Sequence, residues 1–474
     1  MRDLLLLCLL PVMLYAMAQR PFIAAGMWLW TAMFFPNGWV YGIAGSIRYN
    51  LLFTFVGFLS YLAYKHKPKV ELGGVGALIL LFFAWTTLSS VTTIGNPDVT
   101  WEYWNRFFKV IMLFLFVVLT IRDKLHIDFM LWCLVLSIGF YANLEALKYL
   151  VSGGGHKIVG LPTHVLGDRN DLALAFCMTL PFCYYLLAEY GSLSKALRFG
   201  LLCTMAFVVI AVVGTQSRGG FVALTVLGAY LYLKSDRKIL LSIFIAVLVV
   251  GMSYVVSSDW SSRIDTIGEA DQDQSFMTRV VAWKISFIMA MNHPFFGGGF
   301  KSLEYFPVWQ EMSREFFSYP WFHTGDLLPN ANYARAAHSI YFQVLSDHGF
   351  GGLALFVGCL GLSFYKARQV AVRARRIGAE PWIAHVATML QLSIFAYAVG
   401  GAALSLAYFD LIFALFGLVV VLDKRVLPAA IAAAAAVPAQ ATLPLPTPPA
   451  PAPMPMPAPA RPAVAPSRHP ERLS

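Results

Sequence analysis

Four residues carry chemistry that their surroundings do not demand: Arg169, Arg218, Arg279 and His338. Arg218 stands in Thr215-Gln216-Ser217-Arg218-Gly219-Gly220, between two apolar runs and at the start of the second. A cation at a helix N-terminus opposes the helix dipole, whereas the free backbone N–H groups there, beside Gly219 and Gly220, favour an anion. A phosphate held between them reconciles the two. An interfacial arginine that holds a lipid headgroup or caps a carbonyl leaves the same trace in a sequence.

Asp168-Arg169-Asn170-Asp171 opens another run after a glycine-rich loop containing His156, Lys157 and His164. Asp168 or Asn170 suffices as the N-cap, which leaves Arg169 as a second anion contact with Asn170 in support. Arg279 has Trp283 four residues on and a turn at His293-Pro294 leading into Gly297-Gly298-Gly299. It is expected either to project from an external helix toward the same cleft or to pair with Asp271 or Asp273. Arg263 and Arg335 are supporting candidates of the same type.

His338 precedes the apolar run that begins at Ile340, and an imidazole with an ordinary pKa of about 6.5 suits a general base at neutral pH. Position alone more often describes an interfacial histidine. Asp347 and His348 follow too far round a helix to share its face, so a triad within that helix is excluded. Asp271-Gln272-Asp273 has the form of a metal-holding carboxylate pair, but with no clustered histidines a solvated loop is the better reading. No metal or cofactor is expected.

These residues need elements to hold them, and composition says which kind. Of 474 residues, 58% are hydrophobic and 13% charged, against about 25% charged in soluble domains. Mean hydropathy is +0.66. Apolar runs such as 72–91, 127–151, 197–213, 239–256 and 340–365 are near or above the length that spans hydrocarbon, and they lack the alternation of a barrel strand. An all-α polytopic membrane protein follows, with about twelve transmembrane helices.

The net charge of +10 is topological rather than a nucleic-acid signal. Lys65, Lys67 and Lys69, then Arg122 and Lys124, Lys195 and Arg198, Lys234, Arg237 and Lys238, the cluster 366–376, and Lys424 with Arg425 fall in every second connection. By the positive-inside rule those connections and the C-terminus are cytoplasmic. Spans are expected near 47–64, 73–91, 107–120, 127–151, 171–189, 198–214, 219–233, 239–257, 340–365, 383–402 and 404–422. The external connections are then 92–106, 152–170, 214–219 and one large segment at 257–338.

The first 35 residues open with Leu4–Leu10 followed by Ala16-Met17-Ala18, which imitates a cleavable signal peptide, but Asp3 beside Arg2 weakens the charged start, so an uncleaved anchor over this segment is preferred. Interrupted by Pro11 and Pro21, it crosses either once or twice. The six cysteines lie inside apolar runs at no metal or disulfide spacing. Asp410 is expected at the midplane, where it would favour a transporter. The spanning domain occupies 1–426, and the Ala/Pro-rich stretch 427–474 reads as a disordered cytoplasmic tail.

The order of features resembles one family: Ser217-Arg218-Gly219-Gly220 at a span junction, Arg279 with Trp283, Pro294-x-x-Gly297-x-Gly299, then a large external loop ending in His338-Ser339 with Leu345, Gly349 and Gly352 beyond. This is similar to the O-antigen ligase and polymerase superfamily over roughly residues 70 to 420, and the opening segment resembles the putative O-glycosylation ligases of exosortase systems. The resemblance implies an inverting, metal-independent glycosyltransferase of the membrane-embedded C-type fold. Such an enzyme takes a glycan from undecaprenyl diphosphate and joins it, on the periplasmic side of the bacterial inner membrane, to a lipid A-core sugar hydroxyl in lipopolysaccharide synthesis. It implies His338 as the base and Arg218, Arg279 and Arg169 as diphosphate contacts. Polymerisation on the carrier and transfer to protein hydroxyls are the nearest alternatives, and secondary transport is a more distant one.

Overall fold

A computed structural model describes residues 2–65, 67, 69–234, 238, 239, 242, 246 and 274–441. Most of the expected span near 239–257, together with Arg263, Asp271, Asp273 and the tail beyond Ala441, lies outside the described residues.

The described helices are α1 (Arg2–Gln19), α2 (Pro21–Phe34), α3 (Gly42–Ser46), α4 (Tyr49–Ala63), α5 (Gly73–Val91), α6 (Pro97–Thr120), α7 (Lys124–Val151), α8 (Arg169–Tyr190), α9 (Lys195–Gly214), α10 (Arg218–Lys234), α11 (Gln274–Asn292), α12 (Phe306–Ser313), α13 (Ile340–Arg376), α14 (Pro381–Gly400), α15 (Asp410–Val421) and α16 (Leu427–Ala441). Among the described residues there is no strand, and eight helices are long and apolar enough to cross a membrane; α4 and α10 are apolar but shorter. The protein is an all-α polytopic membrane protein.

Four elements differ from the sequence expectation, three of them at helix ends. α6 opens at Pro97 rather than near 107, because Asn96 accepts the N–H groups of Asp98 and Val99 and starts the helix ahead of its apolar part. The Ala-rich start of the expected tail is helical to Ala441, in keeping with alanine's high helix propensity. Asp410 is not mid-helix. It opens α15, in the first turn, where a carboxylate is favoured by the helix dipole.

The first 35 residues form two antiparallel helices. The Asp3 carboxylate accepts the Tyr41 N–H (2.7 Å) just beyond the end of α2, while Ala18 at the other end of α1 accepts the Ser60 hydroxyl (3.0 Å) at the end of α4. The same sorting holds throughout. On the basic face Arg425 donates to the carbonyls of Ile121 (2.8 Å) and Lys69 (2.9 Å), Lys124 pairs with Glu189 (3.1 Å), and Lys366 lies 3.7 Å from Asp423. On the opposite face the end of α5, the start of α8, the α9–α10 junction, α11 and the start of α13 come together. α8 is buried along most of its length, as expected of a helix apolar on every side, and is the post around which this face is organised. α11, α12 and the segment to Ala337 share a second, smaller core that includes Ile285, Met289, Trp309 and Phe316.

The run that read as one span at 340–365 is broken. Gly349 has φ 67° and ψ −170° inside α13, and the segment Pro294–Gly299 inserts into the break. Gly298 donates to the Ser346 carbonyl (2.9 Å), Gly299 to the Asp347 carbonyl (2.8 Å) and the Trp85 indole to the His348 carbonyl (3.1 Å), while the Phe350 N–H is accepted by Pro294 (2.9 Å). The backbone groups released by the break are thereby answered, as burial requires. A β-carbon on Gly349 would lie 2.6 Å from the carbonyl oxygens of Pro294 and Phe295. Gly349→Ala is therefore expected to cost about 3 kcal/mol or more, from a backbone region almost confined to glycine plus the clash. Gly361→Ala, on the same helix and in open space, should be neutral or slightly stabilising. Thermal unfolding of the detergent-solubilised variants checks this, and equal melting temperatures for the two would refute the role given to the break.

Candidate functional site

The α9–α10 junction is a tight turn built by its own side chains. Gln216 takes a left-handed φ of 54°, Ser217 accepts the Gly220 N–H (3.1 Å), and Thr215 accepts the Ser217 N–H (3.2 Å). Gly220 lets α10 close on α8, since a β-carbon there would meet that of Ala173 at 2.6 Å. Gly219 faces the end of α14 near Ala403. The two glycines thus act as packing surfaces that carry Arg218 to the head of α8. There Asp168 is the N-cap, accepting both the backbone N–H (2.7 Å) and side-chain amide (2.8 Å) of Asn170. Asn170 is a partner of the cap, and Arg169 occupies the first turn.

Arg279 stands on α11 and, like Arg169 and Arg218, is half-buried. Burial pushes its pKa below the ordinary arginine range; the groups acting on it next are Asp168, which opposes that shift, and then Arg218 and Arg169, which add to it. An arginine remains protonated through such a shift. The Arg279 guanidinium therefore lies within electrostatic reach of those at the heads of α8 and α10.

His338 joins them. The residue is open to solvent, yet neighbouring groups displace part of the water around its ring: that loss first, and the positive charge of Arg279 second, hold its pKa below 6.5. Asp168, Glu304 and Lys301 also act on it. The imidazole is accordingly neutral at pH 7 and able to accept a proton. Its backbone has a φ of 46°, the left-handed region that residues with a β-carbon rarely occupy. The His338 N–H donates to the Ser405 hydroxyl (2.8 Å), and the Trp283 indole N–H donates to the Ala337 carbonyl (2.7 Å). Such an arrangement, with several cations and a neutral imidazole on one rim, can hold a diphosphate and remove a proton from a hydroxyl beside it.

Other candidates lie elsewhere. Arg335 donates to the Tyr333 hydroxyl (2.7 Å) and covers that ring, and it is not among the groups acting most strongly on Arg279 or His338. His156 pairs with Glu145 (2.7 Å), and His164 stacks on Phe35 while bonding the Ala32 carbonyl (2.8 Å). His348 is buried against Ser89 (2.8 Å).

Sequence reasoning missed Ser405, because a hydroxyl in an apolar connection carries no signal of its own. It also missed Lys301, which pairs with Glu304 (2.6 Å) and whose N–H donates to the Asp347 carboxylate (3.1 Å). Asp168 looked like a cap only, yet it is a charge near both Arg279 and His338.

Residues 203–357 match the family model described as O-Antigen ligase, a window that contains Arg218, Arg279 and His338. Residues 1–191, which contain Arg169, match a model described as a family of unknown function (DUF5935). No curated protein matches the chain.

Proposed function

Given that the chain belongs to the O-antigen ligase superfamily through residues 203–357, we propose that it is an O-antigen ligase that moves a glycan from undecaprenyl diphosphate to a lipid A-core sugar hydroxyl. Glycosyl transfer of the ligase or polymerase type is common to that family. The observation that carries the finer reading is that His338 lies in the field of Arg279, and Arg279 in those of Arg218 and Arg169, on the face opposite the basic loops. By the positive-inside rule that face is the external one and the C-terminus is cytoplasmic; on the family reading the face is periplasmic and the membrane is the bacterial inner membrane. The ligase domain spans 1–426, with 257–338 as its large periplasmic loop.

In the step proposed, the acceptor hydroxyl oxygen attacks the anomeric carbon, and its proton passes to a ring nitrogen of His338. The bond from that carbon to the diphosphate oxygen breaks, the electron pair leaves with undecaprenyl diphosphate, and the anomeric configuration inverts. Arg218, Arg279 and Arg169 take up the charge that collects on the leaving diphosphate. Donors set in place beforehand serve developing charge without reorganising, and forked guanidinium contacts supply what a divalent ion otherwise would.

Reconstitution tests this. Purified protein with a lipid-linked glycan and lipid A-core is expected to join the two, with equal rates in the presence and absence of a chelator. Chain growth on the carrier alone would make the protein a polymerase, and loss of activity on chelation would overturn the metal-independent step.

A further inference from the structure

We infer that Trp283 and Ser405 are positioning residues for glycan transfer, which grip a single peptide group and so fix the His338 turn at a set offset from Arg279. The inference rests on the reading of His338 as the base. The Ala337 carbonyl and the His338 N–H belong to one planar peptide, and in a trans peptide they point in opposite directions. Trp283 holds the oxygen at 2.7 Å and Ser405 holds the nitrogen at 2.8 Å. A plane held at both ends cannot rotate, and its orientation sets φ at His338. A φ of 46° is costly for histidine, and such a conformation persists only where its surroundings over-determine it.

Both holders are themselves fixed. The Trp283 ring stacks on Phe342 with centroids 5.3 Å apart and planes 4° from parallel. The connection carrying Ser405 is laced to α13 and α14: the Tyr397 hydroxyl donates to the Leu406 carbonyl (2.8 Å), and the Ala407 N–H donates to the Gln343 side chain (3.2 Å). Trp283 also lies one turn beyond Arg279 on the same side of α11, so the peptide that carries the base and the cation that meets the leaving group are referred to one rigid helix. In an inverting displacement, base and leaving group act on opposite sides of the anomeric carbon. Their separation then matters to the reaction and little to the binding of donor.

The test uses the full chain in the reconstituted assay, with Trp283→Phe, which keeps an aromatic ring to stack on Phe342 and removes the N–H, and Ser405→Ala beside Ser405→Thr, which keeps the hydroxyl. Expected is a fall in kcat of about 10- to 100-fold for Trp283→Phe and for Ser405→Ala, with donor KM within about twofold and near wild-type turnover for Ser405→Thr. The acid limb of the rate profile should also move up toward 6.5 in the two slow variants. The groups facing the imidazole are Arg279 on α11, Asp168 at the head of α8, and Lys301 and Glu304 after the inserted segment; a released turn regains water and leaves the field of Arg279. Wild-type kcat in either slow variant, a loss confined to KM, or a threonine variant as poor as alanine would overturn the proposal. Because the two holders are removed separately, a folding defect in one leaves the other decisive. If His338→Ala keeps full activity, the base reading fails and the positioning role goes with it. If His338→Ala is inactive while Trp283→Phe and Ser405→Ala are not, the positioning role alone fails.

Discussion

Replacing His338 with alanine is expected to lower the turnover of glycan transfer by roughly 10²- to 10⁴-fold, the range that a positioned general base contributes. Donor affinity should change little, since the diphosphate is assigned to the arginines. The wild-type pH profile carries the same assignment. The active form is the neutral imidazole, so activity is present above the His338 pKa and is lost as pH falls through it. That pKa is held below 6.5 by the loss of water around the ring and then by Arg279. The acid limb of kcat/KM should accordingly have its midpoint below 6.5 and should vanish in the residual activity of His338→Ala. Full activity in that variant, or a wild-type limb above 6.5, would remove His338 from the role.

The second large effect belongs to Arg279. Arg279→Ala is expected to cost about 10²- to 10³-fold in kcat, comparable to removing one preorganised donor from a site where negative charge develops. Arg279→Lys keeps the charge and loses the fork, so it should recover part of the rate, not all of it. Because Arg218 and Arg169 act on Arg279, the loss in a double variant with Arg218→Ala should differ from the product of the single losses. Simple multiplication of the two effects would mean that the guanidinium groups serve separate ligands.

Much of the architecture was legible because a membrane solvent makes few demands and makes them strictly. Long apolar runs, and cations in alternate connections, sufficed to separate the two faces that the structure assembles. Arg169, Arg218 and Arg279 stood out for the complementary reason: each is a cation on the side where the rule does not place one. What stayed hidden were features that depend on contacts far along the chain. The run from Ile340 shows no interruption in hydropathy, so the break at Gly349 appears only with the Pro294–Gly299 segment inside it. Ser405 gains meaning only from a peptide 67 positions earlier. Asn96-Pro97 is a readable helix start, but the charged residues that follow it, Asp98, Glu102 and Arg106, lowered the hydropathy and moved the apparent start to the apolar part.

The broken α13 has a bearing on how this sequence is free to change. The bonds that the inserted segment makes to the break come from its backbone amides and carbonyls, with the Trp85 indole adding one from α5, so many side-chain changes in that segment leave them untouched. Changes in its length do not, because adding or removing one residue between Pro294 and Ser302 would shift every partner at once. The stretch from Tyr319 to Pro329 is held differently: the Tyr319, Trp321 and Phe322 rings meet Phe287 at its start, while the Trp309 indole anchors the Asn330 carbonyl (3.0 Å) and Trp283 anchors Ala337 downstream. Insertions beyond those rings would alter what the surface presents to the proposed acceptor while His338 and the arginines stay where they are. One part of the external segment is thus open to diversification of partner, and its neighbour is closed to it.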